Sequence, residues 1–131
     1  MKYEISNKVL QDLIILLIIP NEKYRNELTT ALELKVNNVH SVGTIRDAVV
    51  RYNTESIDFI ISELILGDEN SLSFCKSLRN INKNIPIIKI GNVVDTQIFL
   101  EMIRLKITEY IVKPVKVSLL KEAIHVCAMD I

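Results

Sequence analysis

Two charged side chains stand at the ends of short apolar runs, where they could do chemistry. Glu63 comes two residues after the run Ile57 to Ile61, which is interrupted only by Asp58, and Lys113 follows the run at 109–112. Short apolar runs bounded by turn formers are typical of buried parallel strands. The carboxyl ends of parallel strands share one ligand crevice. We therefore expect this carboxylate and this amine to face the same crevice.

Other patterns of catalytic or metal-binding residues find no support in the sequence. His40 and His125 have no Cys or Asp at ligand spacing, so we expect ordinary surface or partly buried roles for both. The serines lack a His–acid partner set. The three glycines are isolated and form no phosphate-binding loop. The prediction is therefore no catalytic residue, no metal and no cofactor.

The elements that position Glu63 and Lys113 follow from apolar periodicity. Strands are predicted at 13–19, 36–42, 57–63, 87–90 and 109–112. Between and after them lie five amphipathic helices, with Asn21, Thr44 and Asp95 or Thr96 as candidate N-caps. The third helix has an apolar stripe of Leu72, Cys75, Leu78 and Ile81, and the fourth has Ile98, Met102 and Ile103 facing inward. Strands that alternate with helices predict a parallel sheet covered on both faces.

Composition limits the function classes. Sixteen Lys and Arg balance sixteen Asp and Glu, so no overall field attracts the protein to nucleic acid or membrane. No apolar run reaches the roughly 18 residues of a membrane span, and a signal peptide is not indicated. Cys75 and Cys127 share no metal-ligand spacing, which predicts buried free thiols in a reducing cytoplasm. The predicted organisation is an extension at 1–12, a domain at 13–128 and a tail at 129–131.

Three segments carry a resemblance to a known family. The sequence EYIVKP at 109–114 includes Lys113 and Pro114, and SELILGD at 62–68 and SLSFCKSLR at 71–79 surround Glu63 and the helix after it. Together they resemble the receiver domain of two-component response regulators over about residues 13–128. The resemblance implies a (βα)5 doubly wound five-stranded parallel sheet of the flavodoxin or CheY type, a three-layer sandwich.

The sequence departs from that family at the positions that carry its phosphoryl chemistry. The family places two acids at the end of the first strand to hold Mg²⁺, where this chain has Ile19 and Pro20. It uses aspartate as phosphoacceptor, where this chain has Glu63. It ends its fourth strand with Thr or Ser, where this chain has Gly91. The resemblance thus implies a degenerate receiver, although Glu22 and Asp68 remain possible oxygen ligands.

Two family residues are retained, the site cation Lys113 and a switch aromatic at Tyr110. Glu63 has two interpretations. It is either half of a structural ion pair with Lys113, or a fixed negative charge that imitates part of a phosphorylated state. The family's partner face would here include Leu105, Ile107 and Tyr110, and the two aliphatic residues would leave apolar surface there.

Three functions follow as alternatives. The first is a non-enzymatic regulatory module that signals without phosphorylation, through a protein partner or homodimer on the face of the fourth helix, fifth strand and last helix. The second is a weak Mg²⁺-dependent phosphoacceptor, and the third is a flavodoxin-like small-molecule binder. The resemblance also implies that an output domain, absent here, can follow the chain. No direct nucleic-acid contact by this domain is predicted, and the abundance of Ile, Asn and Lys indicates a bacterial source.

Overall fold

The computed structural model describes residues 7–66 and 69–129 of the 131-residue chain. The strands are β1 Ile14–Ile18, β2 Asn38–Val42, β3 Phe59–Glu63, β4 Ile65–Leu66, β5 Glu69–Asn70, β6 Ile87–Gly91 and β7 Glu109–Val112. The helices are α1 Asn7–Asp12, α2 Glu22–Glu33, α3 Ile45–Thr54, α4 Leu72–Ile81, α5 Thr96–Arg104 and α6 Val117–Met129.

Five parallel strands form one sheet in the order β2-β1-β3-β6-β7. One face packs against α2 and α6 through a core that includes Leu28 and Leu120. The other face packs against α3, α4 and α5 through residues such as Ala48, Leu78 and Met102. The three-layer sandwich with a five-stranded doubly wound parallel sheet is therefore confirmed.

The strands differ from the predicted ones mainly at their ends. β2 begins at Asn38 and not at Val36, because the Val36 N–H donates to the Leu32 carbonyl at 3.0 Å in the turn that ends α2. Val36 is nevertheless buried, so its apolar character reflects core packing before the strand starts. β6 extends one residue further than predicted, to Gly91.

The segment after Glu63 was predicted as a plain loop and instead contains a small antiparallel hairpin. Ile65 pairs with Asn70 and Leu66 with Glu69. Strands of two residues are too short to show an alternating pattern in a sequence. The hairpin is anchored because Leu66 is buried in the core on the α4 side of the sheet. Gly67 and Asp68 lie outside the described residues.

The predicted N-terminal extension ends in a helix. Leu10 in α1 is buried among the core residues of the α2 and α6 face. The Gln11 carbonyl accepts a hydrogen bond from the Asn37 N–H at 3.0 Å, which ties α1 to the start of β2. The boundary drawn at residue 13 stays a prediction.

Sequence signals for helix starts agree with the structure, whereas two stripe assignments were wrong. Asn21, Thr44 and Asp95 each accept a backbone N–H from the first turn of their helix. Ile81 and Ile103, however, are 72% and 57% exposed. Ile81 lies nine positions after Leu72, and at about 100° per residue it falls on the opposite side of α4.

Both cysteines are buried, as predicted, and neither forms a disulfide. Over residues 7–66 and 69–129, none of the helices combines the length and apolar character needed to cross a bilayer.

Lys106 follows α5 with a positive φ of 57°. The Ile107 N–H donates to the Met102 carbonyl and the Lys106 N–H to the Ile103 carbonyl, both at 3.0 Å. This hydrogen-bond pattern is a Schellman motif, whose left-handed position favours glycine.

We expect Lys106→Gly to raise the free energy of unfolding by about 1 kcal/mol, because glycine has no Cβ to oppose the left-handed backbone. Urea denaturation of both proteins measures the change. Lys106→Ala is the control, since alanine retains the Cβ and should bring no gain. Equal stability of the glycine and alanine variants would contradict the prediction.

Candidate functional site

The structure brings together the acid and the cation that the sequence singled out. Glu63 ends β3 and Lys113 follows β7, with β6 between these strands in the sheet. The Lys113 Nζ donates to the Glu63 Oε2 at 3.0 Å. The Lys113 N–H also donates to the Gly91 carbonyl at 2.8 Å, which holds the lysine backbone at the end of β6. The two side chains form an ion pair at the mouth of the crevice, where Pro114 follows a cis peptide bond.

Tyr24 in α2 is a second neighbour of the Lys113 ammonium. Its ring centroid lies 5.4 Å from the Lys113 Nζ, within range of a cation–π contact. Burial raises the pKa of the Tyr24 hydroxyl, and the negative charges of Glu63 and Glu27 raise it further. The Glu63 and Lys113 side chains are only 13% and 34% exposed. The lysine is thus held between a carboxylate and an aromatic face.

The end of β1 offers no carboxylate to this crevice. Ile19 is fully buried in the core and Pro20 carries no donor atom in its side chain. The Arg25 Nη1 instead donates to the carbonyl of Ile19 at 2.8 Å and to that of Pro20 at 3.3 Å. Gly43 leaves room for this guanidinium, because a Cβ there would lie 2.7 Å from the Arg25 Nη1. The positively charged Arg25 side chain is therefore hydrogen-bonded to the backbone oxygens at the end of β1.

Gly91 and Tyr110 are in direct contact beside the ion pair. A Cβ added at Gly91 would lie 2.6 Å from the Tyr110 hydroxyl oxygen. That hydroxyl donates a short hydrogen bond to the Asn92 carbonyl. Burial raises the pKa of the Tyr110 hydroxyl. The tyrosine ring is turned inward over the end of β6. Its hydroxyl lies in space that a side chain at position 91 would need.

The crevice between these residues is small and partly apolar. It measures ≈ 290 Å³ and is lined by residues that include Glu63, Lys113, Gly91, Asp95, Ile65 and Val93. Ile65 is 50% and Val93 84% exposed, so apolar side chains stand at its rim.

The apolar surface expected from Leu105 and Ile107 is not found, whereas the partner face itself stays a prediction. Leu105 is buried, and Ile107 is half-buried against the core beneath α5. The Schellman turn at Lys106 directs the Ile107 backbone toward Met102, and the Ile107 side chain packs partly against the core. Large apolar side chains that are exposed on α5, β7 and α6 are Phe99, Leu100, Ile103, Val112, Val117, Leu119 and Met129.

Two features of the site were missed in the sequence. Lys89 is fully buried in β6, and Arg25 holds the β1 end. A signal for Lys89 was present, since it is the only charged residue in the run IPIIKIG at 85–91. A central strand of a doubly covered sheet leaves no exit to water for such a side chain. Nothing in the sequence signals the role of Arg25.

The histidines show no ligand cluster. The His40 Nε2 lies 4.0 Å from the Glu55 Oε2, and His125 is exposed on α6. Within the described ranges, no three His, Cys, Asp or Glu side chains come close enough to hold a metal ion together.

Comparison with known families decides the assignment. The family model of the response regulator receiver domain matches residues 15–125. The chain belongs to this family. No curated protein matches it.

Solved receiver domains share the fold at low identity. The chain is similar to a receiver domain protein from Clostridium thermocellum, with a TM-score of 0.81 and 17% identity over 90% of this chain and 95% of that one. A two-component response regulator from Clostridium difficile gives 0.77 and 23% over 85% and 91%. The chemotaxis protein CheY4 from Vibrio cholerae gives 0.77 and 20% over 84% and 93%.

Family membership implies a Mg²⁺ site at the ends of β1 and β3, and the described residues do not fit it. Mg²⁺ requires near-octahedral oxygen coordination. The Ile19 side chain is aliphatic and buried, and the carbonyls of Ile19 and Pro20 already accept from Arg25. The Glu63 carboxylate already accepts a hydrogen bond from the Lys113 ammonium. A divalent cation at these oxygens would compete with the Arg25 guanidinium for the β1 carbonyls and with the Lys113 ammonium for the Glu63 carboxylate.

We expect Glu63→Gln to lower the free energy of unfolding by about 1 kcal/mol, because a partly exposed ion pair contributes less than a buried one. Urea denaturation of Glu63→Gln, Lys113→Met and the double variant measures the coupling between the two side chains. Additive effects of the two substitutions would contradict the ion pair as a stabilising contact.

Proposed function

We propose that this chain is a degenerate receiver domain that regulates two-component-type signalling through protein contacts, independently of aspartyl phosphorylation. It has no enzymatic activity in this proposal. It works in the bacterial cytoplasm, a location supported by Cys75 and Cys127, which are buried and form no disulfide.

One observation carries the proposal. The Arg25 guanidinium bonds to the Ile19 and Pro20 carbonyls at the strand end where family members place their acids. Phosphoryl transfer needs a cation that neutralises the charge on the transferred group. It also needs side chains that hold this cation in place. The guanidinium occupies backbone oxygens that a metal would need, and the side chains of Ile19 and Pro20 supply no carboxylate. Phosphoryl uptake by this domain is therefore disfavoured.

The state of the site is constant in this proposal. Glu63 already supplies a negative charge to Lys113 at 3.0 Å, with one charge where a phosphate would carry nearly two. Tyr110 packs over Gly91. Because position 91 is a glycine, it has no hydroxyl that could move the tyrosine. These contacts favour a single signalling state over a switch.

The partner is a protein that docks on the face of α5, β7 and α6. Support for this face comes from the exposed Phe99, Ile103 and Leu119, and from the position of β7 at the edge of the sheet. A groove of ≈ 440 Å³ between β7 and α6 is lined by Tyr110, among other residues. Tyr110 thus links the ion-pair crevice to the docking face. The partner is a second copy, a separate protein or an output domain.

Intact mass spectrometry after incubation with acetyl phosphate and Mg²⁺ tests the proposal. We expect no phosphoryl adduct on the wild type or on Glu63→Asp, because the aspartate variant would still lack acids at the end of β1. A phosphorylatable receiver domain, treated in parallel, shows that the reagent is active. A Mg²⁺-dependent adduct on the wild type would overturn the proposal and favour a working phosphoacceptor.

Light scattering on the wild type and on Ile103→Lys tests the docking face. A dimer that becomes a monomer in the variant would identify a second copy as the partner. A monomer in both proteins would leave a different protein as the partner. Ile81→Lys is the matched control, since Ile81 is also an exposed isoleucine, on α4 and outside this face.

A further inference from the structure

Lys89 is the most unusual buried group among the described residues. Its side chain is 0% exposed in the middle of β6, between Ile88 and Ile90. It is the register partner of Ser62 on β3. The Lys89 Nζ donates to the Ser71 hydroxyl at 2.7 Å. The ammonium thus lies beneath the first turn of α4.

The hydrogen bonds of Ser71 continue from Lys89 to the functional site. The Ser71 hydroxyl donates to the Glu63 carbonyl at 3.0 Å, and the Ser71 N–H donates to the Leu64 carbonyl at 2.8 Å. The Ser62 hydroxyl donates to the same Glu63 carbonyl at 2.8 Å. The chain from Lys89 through Ser71 ends on the backbone of the residue that pairs with Lys113.

The direction of the hydrogen bonds from Lys89 through Ser71 to Glu63 depends on the Lys89 amine. An ammonium has no lone pair and only donates, so the Ser71 oxygen accepts from Lys89 and the Ser71 proton is directed to the Glu63 carbonyl. An aliphatic residue at position 89 would leave the Ser71 hydroxyl free to rotate. Burial lowers the pKa of Lys89, while the neighbouring Cys75 thiol opposes that shift. A residue that is unfavourable to bury is thus kept where it orients a hydroxyl.

We propose that Lys89 is a positioning residue, which through Ser71 holds the end of β3 and thereby sets the Glu63 carboxylate against Lys113. This inference goes beyond the proposed function, because it concerns the segment that carries the site and is tested without a partner or a phosphoryl donor. The inference would still hold if the domain were phosphorylated. It could also be wrong in a domain that is never phosphorylated.

Amide hydrogen exchange on Lys89→Met tests the proposal. We expect the Ser71 and Leu64 amides to exchange at least about tenfold faster than in the wild type, because the local segment opens more often. The rest of the sheet should exchange no faster, since removal of a buried charge does not weaken the core. This opposite response separates positioning from a general contribution to stability.

Two further variants complete the test. Ile87→Met is the matched control, since Ile87 is also fully buried on β6 and packs on the same face without a hydrogen bond to Ser71. It should leave both amides unchanged. Ser71→Ala should accelerate exchange at Leu64, and it decides the question if Lys89→Met fails to fold. Unchanged or slower exchange at Leu64 in Lys89→Met, or in Ser71→Ala, would overturn the proposal.

Discussion

Lys89→Met is expected to raise the free energy of unfolding by about 2 kcal/mol at neutral pH, because replacing a buried ionic group by an apolar one of similar volume is often stabilising. The Lys89 side chain has no exposed surface, and its Nζ donates to the Ser71 hydroxyl. Methionine is flexible enough to fill the same space. Urea denaturation of both proteins measures the gain, and a loss of stability would contradict it.

The gain from Lys89→Met should depend on pH in a defined direction. Burial lowers the pKa of Lys89, so the folded state binds this proton less tightly than the unfolded state. The penalty in the wild type is therefore complete below the folded-state pKa. It is relieved as pH rises from that pKa toward the ordinary lysine value. The difference between the two proteins should shrink in alkaline solution.

Cys75 also contacts Lys89, and its thiol opposes the lowering of the Lys89 pKa. The comparison is therefore repeated in a Cys75→Ala background, which removes the thiol from both proteins. A pH-independent difference in this background would show that Lys89 does not titrate differently in the folded and unfolded states.

Gly91→Thr is expected to expel Tyr110 from its inward position and to lower the free energy of unfolding by about 1–3 kcal/mol, as overpacking typically does. A Cβ at position 91 would lie 2.6 Å from the Tyr110 hydroxyl and 3.4 Å from the Leu64 Cβ. Rotation of the tyrosine relieves the closer contact, at the cost of its hydrogen bond to the Asn92 carbonyl. The ring then points toward the groove between β7 and α6.

Tyrosinate absorbance as a function of pH measures this movement. Burial raises the pKa of Tyr110, so its contribution to stability is complete below the ordinary tyrosine pKa and is lost as pH rises toward the folded-state value. In Gly91→Thr the Tyr110 pKa should fall toward the ordinary value. Tyr110→Phe identifies the Tyr110 component of the signal. An unchanged titration in Gly91→Thr would show that the tyrosine stays inward.

The architecture could be predicted from the sequence because it depends on local patterns. Short apolar runs alternate with amphipathic helices, and Asn21, Thr44 and Asp95 signal helix starts that the structure reproduces. Right-handed crossovers between parallel strands then leave few topologies. The pairing of Glu63 with Lys113 also follows from the parallel sheet, since Glu63 ends β3 and Lys113 directly follows β7.

The surface of α5 could not be predicted in the same way. Ile103 and Leu105 are both aliphatic, yet Ile103 is 57% exposed and Leu105 only 9%. Their exposure depends on how α5 rotates against the sheet and on the left-handed turn at Lys106. Helix rotation is the sum of many packing contacts between distant segments, which periodicity records only approximately.

The sequence by itself determined the fold and the absence of acids at the end of β1, because both depend on residue type and order along the chain. Only the tertiary structure decided which side chains lie at the ends of β1, β3 and β6. Arg25 binds the β1 carbonyls, Tyr110 covers Gly91, and Lys89 reaches the Glu63 backbone through Ser71. Each contact joins side chains from different elements, and its geometry exists only once the sheet has assembled.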